Sequence, residues 1–403
     1  MNDTKSFIYI KQMYMKGFFS LEDRCKEKIL SEDYWDFIIP LYRDEELKEV
    51  NPENVCIQEM DFGYKSVSVD RRILLPLSFR EYWYSTIPKC YALLDMQPLD
   101  AAGIITLQNY PTLQLMGDGI MIGFLDTGID YQNRVFRNLD GTTRIVGIWD
   151  QTIQTGRTPQ GLYYGTEYTE EMINAALRSE DPLQIVPSVD TDGHGTFVAS
   201  AAAGGAEVGK RFLGAAPEAS IAMVKLKPAK NYLKEFFVIA QDAVCYQEND
   251  IMLGLRYLND LARKQGMPLV ICVALGTSFG GHNGDSLLAD ILDIHATVRN
   301  RCVVVGTGNE AARRHHYFNR FTDAQDMRTA EIRVGEGTQS FAVELWSTLP
   351  NIVMVSVTSP SGERTGMIPI RLGYLFDFLF TFERTTITVE YRLLQENNDA
   401  QLV

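Results

Sequence analysis

Five continuous apolar runs, each the length of one strand, constrain this chain more than any other feature. They are IMIGFL (120–125), RIVGIW (144–149), IAMVKL (221–226), LVICVAL (269–275) and CVVVG (302–306). A strand that is apolar on both faces belongs in a parallel sheet covered on both sides by helices, because a sheet with a wetted face alternates instead. Helical patterns lie between the runs. One starts at Asp250, read as an N-cap, and carries Leu253, Leu255, Leu258 and Leu261 to a stop at Gly266. Another spans 286–300. This alternation predicts a doubly wound, mostly parallel α/β domain whose ligands gather at the carboxyl ends of the strands.

The flanks differ in texture. Residues 1–92 mix helical and strand signals, and the part from about 50 to 92 reads as a small α/β unit. Residues 329–403 alternate with period two in QSFAVELW, NIVMVSV and TITVEY, with SPSGER as a turn, which predicts a partial antiparallel β-sandwich. The expected division is therefore 1–92, 93–328 and 329–403, which suits a chain of 403 residues.

A formal charge of −14 argues against nucleic-acid binding, which needs a basic stripe, and against adsorption to anionic membrane. There is no apolar run of about 18 residues, so membrane insertion is not expected. The start, MNDTKSFIYIKQMYMKGFF, has neither a long apolar core nor a cleavage signal, so synthesis in a reducing cytoplasm is expected. The six cysteines show no CxxC spacing. Cys272 and Cys302 read as small core residues, no zinc site is implied, and disulfides are not required. GDGIMIG (117–123) has the glycines of a dinucleotide loop, but they precede the strand rather than follow it.

Three short motifs carry chemistry. Asp126, in GFLDTGID, ends the first apolar run, where a carboxylate needs hydrogen bonds; the turn at Thr127 and Gly128 can supply amides. His194, in DTDGHGTFVAS, opens a helix of small residues between two glycines that allow close backbone approach. Asn309, in GTGNE, follows the last run and can donate a hydrogen bond to a developing oxyanion. Each alone is more often a capping or turn residue. Together, all three fall at strand ends or helix starts of one α/β domain, with the aspartate before the histidine.

In this order the motifs resemble the subtilisin-like serine peptidases. DTGID is similar to the family's aspartate motif, GHGTFVAS to its histidine motif, GNE to its oxyanion asparagine, and FLGAAPEASI (212–221) to the segment after the histidine helix. ALGTS (274–278) lies where the family has its substrate strand. The resemblance implies that Asp126 orients His194, that His194 acts as general base and acid, and that Asn309 binds the oxyanion. It implies that Ala274, Leu275 and Gly276 pair with an extended polypeptide substrate. A closer resemblance is to the clostridial spore-germination Csp group. DYQNRVFRNLDGTTRIVGIWDQT with the following YGTEYT is similar to that group's insertion, and IPKCYALLD to the end of its retained prodomain. That implies a prodomain partner supplied by residues 1–92, with the connection from Pro88 to Leu94 entering the cleft. It further implies the start of a jelly roll after Asn309, spore association, and the proform of a germination hydrolase as substrate. No cofactor is required; the family commonly binds calcium, and no ligands can be assigned here.

One departure matters. The family's serine opens a helix in a GTSMAAP-like motif, and no such motif occurs in the 403 residues. Thr277 and Ser278 precede Asn309 and lead into Phe279, Gly280 and Gly281. Ser340 is one residue out of pattern, and Ser347, Ser356, Ser359 and Ser361 sit in alternating or turn contexts. Two expectations follow: the sequence is an inactive, truncated form of a peptidase, or it is a pseudoprotease that regulates germination by binding.

Overall fold

The structure, a computed structural model, describes residues 21–40, 51–93, 104, 108, 115–207, 212–310, 313–394 and 400–403. The first 20 residues and Leu94, which enter the expectations above, lie outside this set. In the N-terminal part, α1 (Leu21–Leu30) leads to β1 (Tyr34–Pro40), β2 (Val55–Glu59) and β3 (Tyr64–Asp70). These strands form their own antiparallel sheet in the order β1-β3-β2. Cys25 of α1 is disulfide-bonded to Cys56 of β2, with 5.2 Å between Cα atoms, a bridge that the cysteine spacing alone did not require. A further strand, β4 (Cys90–Leu93), leaves this unit.

The central part comprises β5 (Met121–Asp126), β6 (Ile145–Asp150), β7 (Thr166–Thr169), α2 (Glu170–Arg178), α3 (His194–Ala203) and β8 (Ser220–Lys225). It continues with α4 (Asn231–Phe236), β9 (Tyr246–Gln247), α5 (Glu248–Gln265), β10 (Leu269–Val273), β11 (Leu275–Gly276), α6 (Leu287–Thr297) and β12 (Arg301–Val305). The five apolar runs become β5, β6, β8, β10 and β12. They lie parallel in a six-stranded sheet ordered β12-β10-β5-β8-β6-β7, with β7 antiparallel at the edge. Side chains alternate between two cores. Met121 and Leu125 of β5 pack with α5 and α6, whereas Ile122 and Phe124 pack with α2 and α3. From β5 the chain passes to β6 and β7 on one side, returns to β8 beside β5, then crosses β5 to β10 and continues outward to β12. The gap between β5 and β10 is therefore the switch point where such sheets bind ligands.

Two details correct the sequence reading. Asp250 is not the N-cap of α5. That helix starts at Glu248, and Asp250 is buried in its first turn, paired with Lys227 at 2.5 Å and accepting from the Tyr164 hydroxyl at 2.6 Å. Burial pushes its carboxyl up against the pull of Lys227. A buried carboxylate takes the strongest donor in reach, and here that is a lysine rather than a helix amide. Nor is Cys302 a core residue. It is exposed on the edge strand β12, as are Val304 and Val305.

The last part forms β13 (Trp346–Thr348), β14 (Leu375–Phe380), β15 (Thr385–Glu390), β16 (Arg392–Leu394) and β17 (Ala400–Leu402), arranged as sheets β13-β17-β16 and β14-β15. Of the three alternating segments, TITVEY supplies β15. QSFAVELW contributes only its last residue, to β13, and NIVMVSV is not a regular strand. It is extended all the same: Val353, Val355 and Val357 turn inward, and their amides donate to Gln401 Oε1, the Tyr391 hydroxyl and Thr365 Oγ1. Side chains thus satisfy these amides, while the carbonyls of Val355 and Val357 accept from the backbone amides of Ile368 and Thr365.

Candidate active site

The site is built where β5 ends. Asp126 is its last residue and is 1% exposed; a buried carboxylate there must be held. The Thr127 amide donates to its Oδ1 at 2.7 Å, and His194 Nδ1 lies 2.8 Å from the same oxygen. His194 is the first residue of α3. With Nδ1–H donating to the carboxylate, Nε2 becomes the basic nitrogen, and the ring is fixed in orientation by its partner.

The glycines around His194 have separate jobs. Gly193 caps α3 with φ of 90°, a left-handed conformation that a side chain would strain. Gly195 makes close approach possible. A Cβ there would lie 2.2 Å from Gly128 O and 3.0 Å from Asp126 Cβ. The helix thus rests its first turn directly on the turn after β5, which brings the two catalytic candidates together.

Asp190 is a residue whose role the sequence reading did not separate from the motif around it. Its Oδ1 accepts from Thr127 Oγ1 at 2.8 Å and from the Gly193 amide at 2.9 Å. Its Oδ2 accepts from the Thr196 amide at 2.9 Å and Oγ1 at 2.6 Å. Burial pushes its carboxyl up, but these hydrogen bonds outweigh burial and hold it below the usual range. Thr127 Oγ1 in turn accepts from the Gly195 amide at 2.9 Å. Asp190 therefore clamps the start of α3 to the turn after β5. The sequence carried no local signal for it: an Asx turn bonds the amide two residues on, whereas Asp190 reaches the amides three and six residues on.

The other predicted residues lie along the same carboxyl edge. Ala274 is buried between β10 and β11, and Leu275 and Gly276 form β11. β11 is paired, and its partner is β4: Leu275 stands opposite Leu93, and Gly276 opposite Ala92. On its other edge β4 pairs with β9, Cys90 opposite Gln247 and Tyr91 opposite Tyr246. The strand leaving the N-terminal unit thus fills the place between β11 and β9. Asn309 lies four residues beyond β12, exposed in the following loop. Ser278 and Ser340 are also exposed.

On the α3 side of the sheet one area lies open. Val270 and Cys272 of β10 are half-buried, and their register partners on β12, Cys302 and Val304, are exposed. Phe197 of α3, on that side, is 52% exposed. Among the described residues no group of three or more His, Cys, Asp or Glu is placed to hold a metal ion, and no helix is long and apolar enough to cross a membrane.

The N-terminal sheet is joined to the central part through buried polar groups. Asp36 accepts from Lys230 Nζ at 2.8 Å, Gln247 Nε2 at 2.9 Å and Ser68 Oγ at 2.5 Å. The Tyr232 hydroxyl bonds both the amide and the carbonyl of Asp36. Both charges of the ion pair are almost wholly buried.

Comparisons with known proteins point to a family. The family model described as the subtilase family, Peptidase S8, matches residues 117–365, more than half of the chain. Among solved structures, the chain is similar to the Clostridium perfringens CspB protease, with 30% identity and a TM-score of 0.59, covering 74% of this chain and 59% of that one. The chain thus spans 59% of the length of that relative. A structure titled S41 psychrophilic protease matches at 22% identity with a TM-score of 0.30, covering 50% of each chain, too low to bear on the fold. Among curated protein sequences none matches.

Proposed function

This chain belongs to the subtilase family, and from that premise we propose that it carries the acid–base half of a subtilisin-type serine endopeptidase. In this reading His194 Nε2 takes the proton of a serine hydroxyl and returns it to the leaving amine. Asp126 holds the ring and stabilises its charged form. Asn309 donates to the oxyanion of the tetrahedral intermediate. Residues 274–276 bind the polypeptide substrate by strand addition. No step calls for a cofactor.

The observation that carries the proposal is the 2.8 Å contact between His194 Nδ1 and Asp126 Oδ1 at the switch point of the sheet. The nucleophile is proposed to belong to a segment outside these 403 residues. Two facts support this: no serine in the sequence opens a helix in the family's pattern, and the α3 side of β10 and β12 is an open apolar face of the kind a further helix covers. The N-terminal unit is proposed to be a prodomain, with β4 as its tail lying where substrate binds. Residues 329–403 are proposed to be part of a jelly roll. The likeness to CspB suggests the proform of a spore-germination hydrolase as substrate. The lack of a nucleophile also favours a second reading, a regulatory pseudoprotease that binds without cleaving.

Self-processing tests the proposal. The chain is expressed together with a downstream segment that carries a GTS motif opening a helix, and its fragments are sequenced from their N-termini. Cleavage shortly after β4, abolished by His194→Ala, is expected. An uncut chain with a folded serine segment would favour the pseudoprotease.

A further inference from the structure

Two thiols that the proposed chemistry does not use lie where β4 meets its host. Cys90 begins β4, and Cys245 immediately precedes β9. Because the pairing is antiparallel with Cys90 opposite Gln247, Cys245 lies two residues along from that partner. Its side chain therefore points to the same face of the ribbon, in the diagonal position. Both residues are buried in one apolar cluster with Ile87, Leu233 and Phe237, and neither is in a disulfide. Their thiols interact, each perturbing the other's ionisation more than any other neighbour does.

We propose that Cys90 and Cys245 are a reversible disulfide site that locks β4 between β9 and β11. The pair is prepared for exchange. The interaction with Cys90 holds the Cys245 thiol below its ordinary value, helped by the nearby Lys234 ammonium, while the same interaction and burial push the Cys90 thiol up. Lys234 is itself fixed, donating to the carbonyls of Gln241 at 3.0 Å and Ala243 at 2.8 Å. The Cys245 thiolate attacks a small-molecule disulfide and forms a mixed disulfide, releasing one thiol. Cys90, giving up its proton, then attacks the Cys245 sulfur and releases the second thiol. Two electrons pass from the protein to the small disulfide, and one protein S–S bond replaces one small-molecule S–S bond. Each cysteine is 5% exposed, so the first attack takes place during local opening of the ribbon.

The consequence is directional. With both thiols reduced, β4 is held by strand pairing and packing and leaves the groove whenever these open. Oxidised, it is tethered to β9 and returns at a high effective concentration. The inference rests on the strand pairing and stands whether or not the chain is a peptidase.

The test uses the 403-residue chain. It is equilibrated in mixtures of oxidised and reduced glutathione, its free thiols are trapped by alkylation, and linked peptides are mapped by mass spectrometry, with Cys25–Cys56 as internal reference. Limited proteolysis of residues 71–93 is then compared in the oxidised and reduced chain. A Cys90–Cys245 peptide is expected, with cleavage slowed by roughly a hundredfold, the lower end of what tethering gives. Reversal by dithiothreitol, and absence of the effect in Cys245→Ser, are also expected. Alkylation of both thiols when oxidised glutathione predominates would overturn the proposal. So would a linked peptide with unchanged proteolysis. The comparison of the two states of the unmodified chain needs no variant to fold.

Discussion

Asp36→Ala removes the acceptor from a buried ion pair and leaves its partner stranded. Lys230 Nζ lies 2.8 Å from Asp36, and its side chain is 4% exposed. Without Asp36, Lys230 keeps the Tyr34 carbonyl as acceptor at 3.0 Å, and Gln247 Nε2 loses one of its two acceptors. Stranding one charge of a buried pair costs about 3–5 kcal/mol, far above the 0–1 kcal/mol of a surface pair. The loss falls on the contact between the N-terminal sheet and the central part. Since about 1.4 kcal/mol is a factor of ten, the undocked population should rise at least roughly a hundredfold. When reclosing is fast, proteolysis follows that population. Limited proteolysis within β1–β3 should therefore accelerate by the same factor. The double variant Asp36→Leu with Lys230→Met strands no charge and should restore most of the protection. Equal proteolysis of Asp36→Ala and the parent chain would refute the view that this pair holds the unit in place.

Gly195→Ala pushes a methyl into Gly128 O and should cost about 1–3 kcal/mol in urea unfolding, while weakening the contact of His194 with Asp126. A variant as stable as the parent would show that α3 does not depend on that close approach. His295 in α6 is fully buried, and neither ring nitrogen has a hydrogen-bond partner; burial, with Arg301 adding to it, pushes its pKa down to about 4. A native pKa below the unfolded one means that the unfolded chain takes up the proton first. Its contribution is complete above about pH 6.5 and is lost as pH falls toward 4, with a slope of up to about 1.4 kcal/mol per pH unit. His295→Phe should flatten urea midpoints between pH 6.5 and 4 relative to the parent; an unchanged slope would assign the acid sensitivity to other groups.

Much of the central domain was legible because its signals are local. A buried parallel strand must be apolar throughout, so the five runs located all five parallel strands to within a residue or two at most ends. The histidine motif was legible because its glycines answer to backbone constraints a few residues away. The failures come from interactions that cross the chain. Asp250 reads as a cap until Lys227 and Tyr164 are seen beside it. NIVMVSV reads as a strand because its side chains do alternate; its ladder is broken because the side chains of Gln401, Tyr391 and Thr365 take its amides, while the amides of Thr365 and Ile368 reach its carbonyls. The link between Asp36 and Lys230 has no sequence signature, since the partners are far apart and each alone resembles a surface charge.

The central claim is that Asp126 and His194 form a working acid–base pair awaiting a serine. Labelling with a fluorophosphonate probe, which reacts only with an activated serine, tests it most directly. The 403-residue chain should remain unlabelled, since a site without its nucleophile retains only the contribution of the oxyanion hole and binding, about 10³–10⁴-fold over water. The chain extended by a segment carrying the GTS serine should label stoichiometrically at that serine, and His194→Ala in the extended chain should abolish labelling. Labelling of the 403-residue chain at Ser278 or Ser340, or undiminished labelling of the His194→Ala form, would contradict the account.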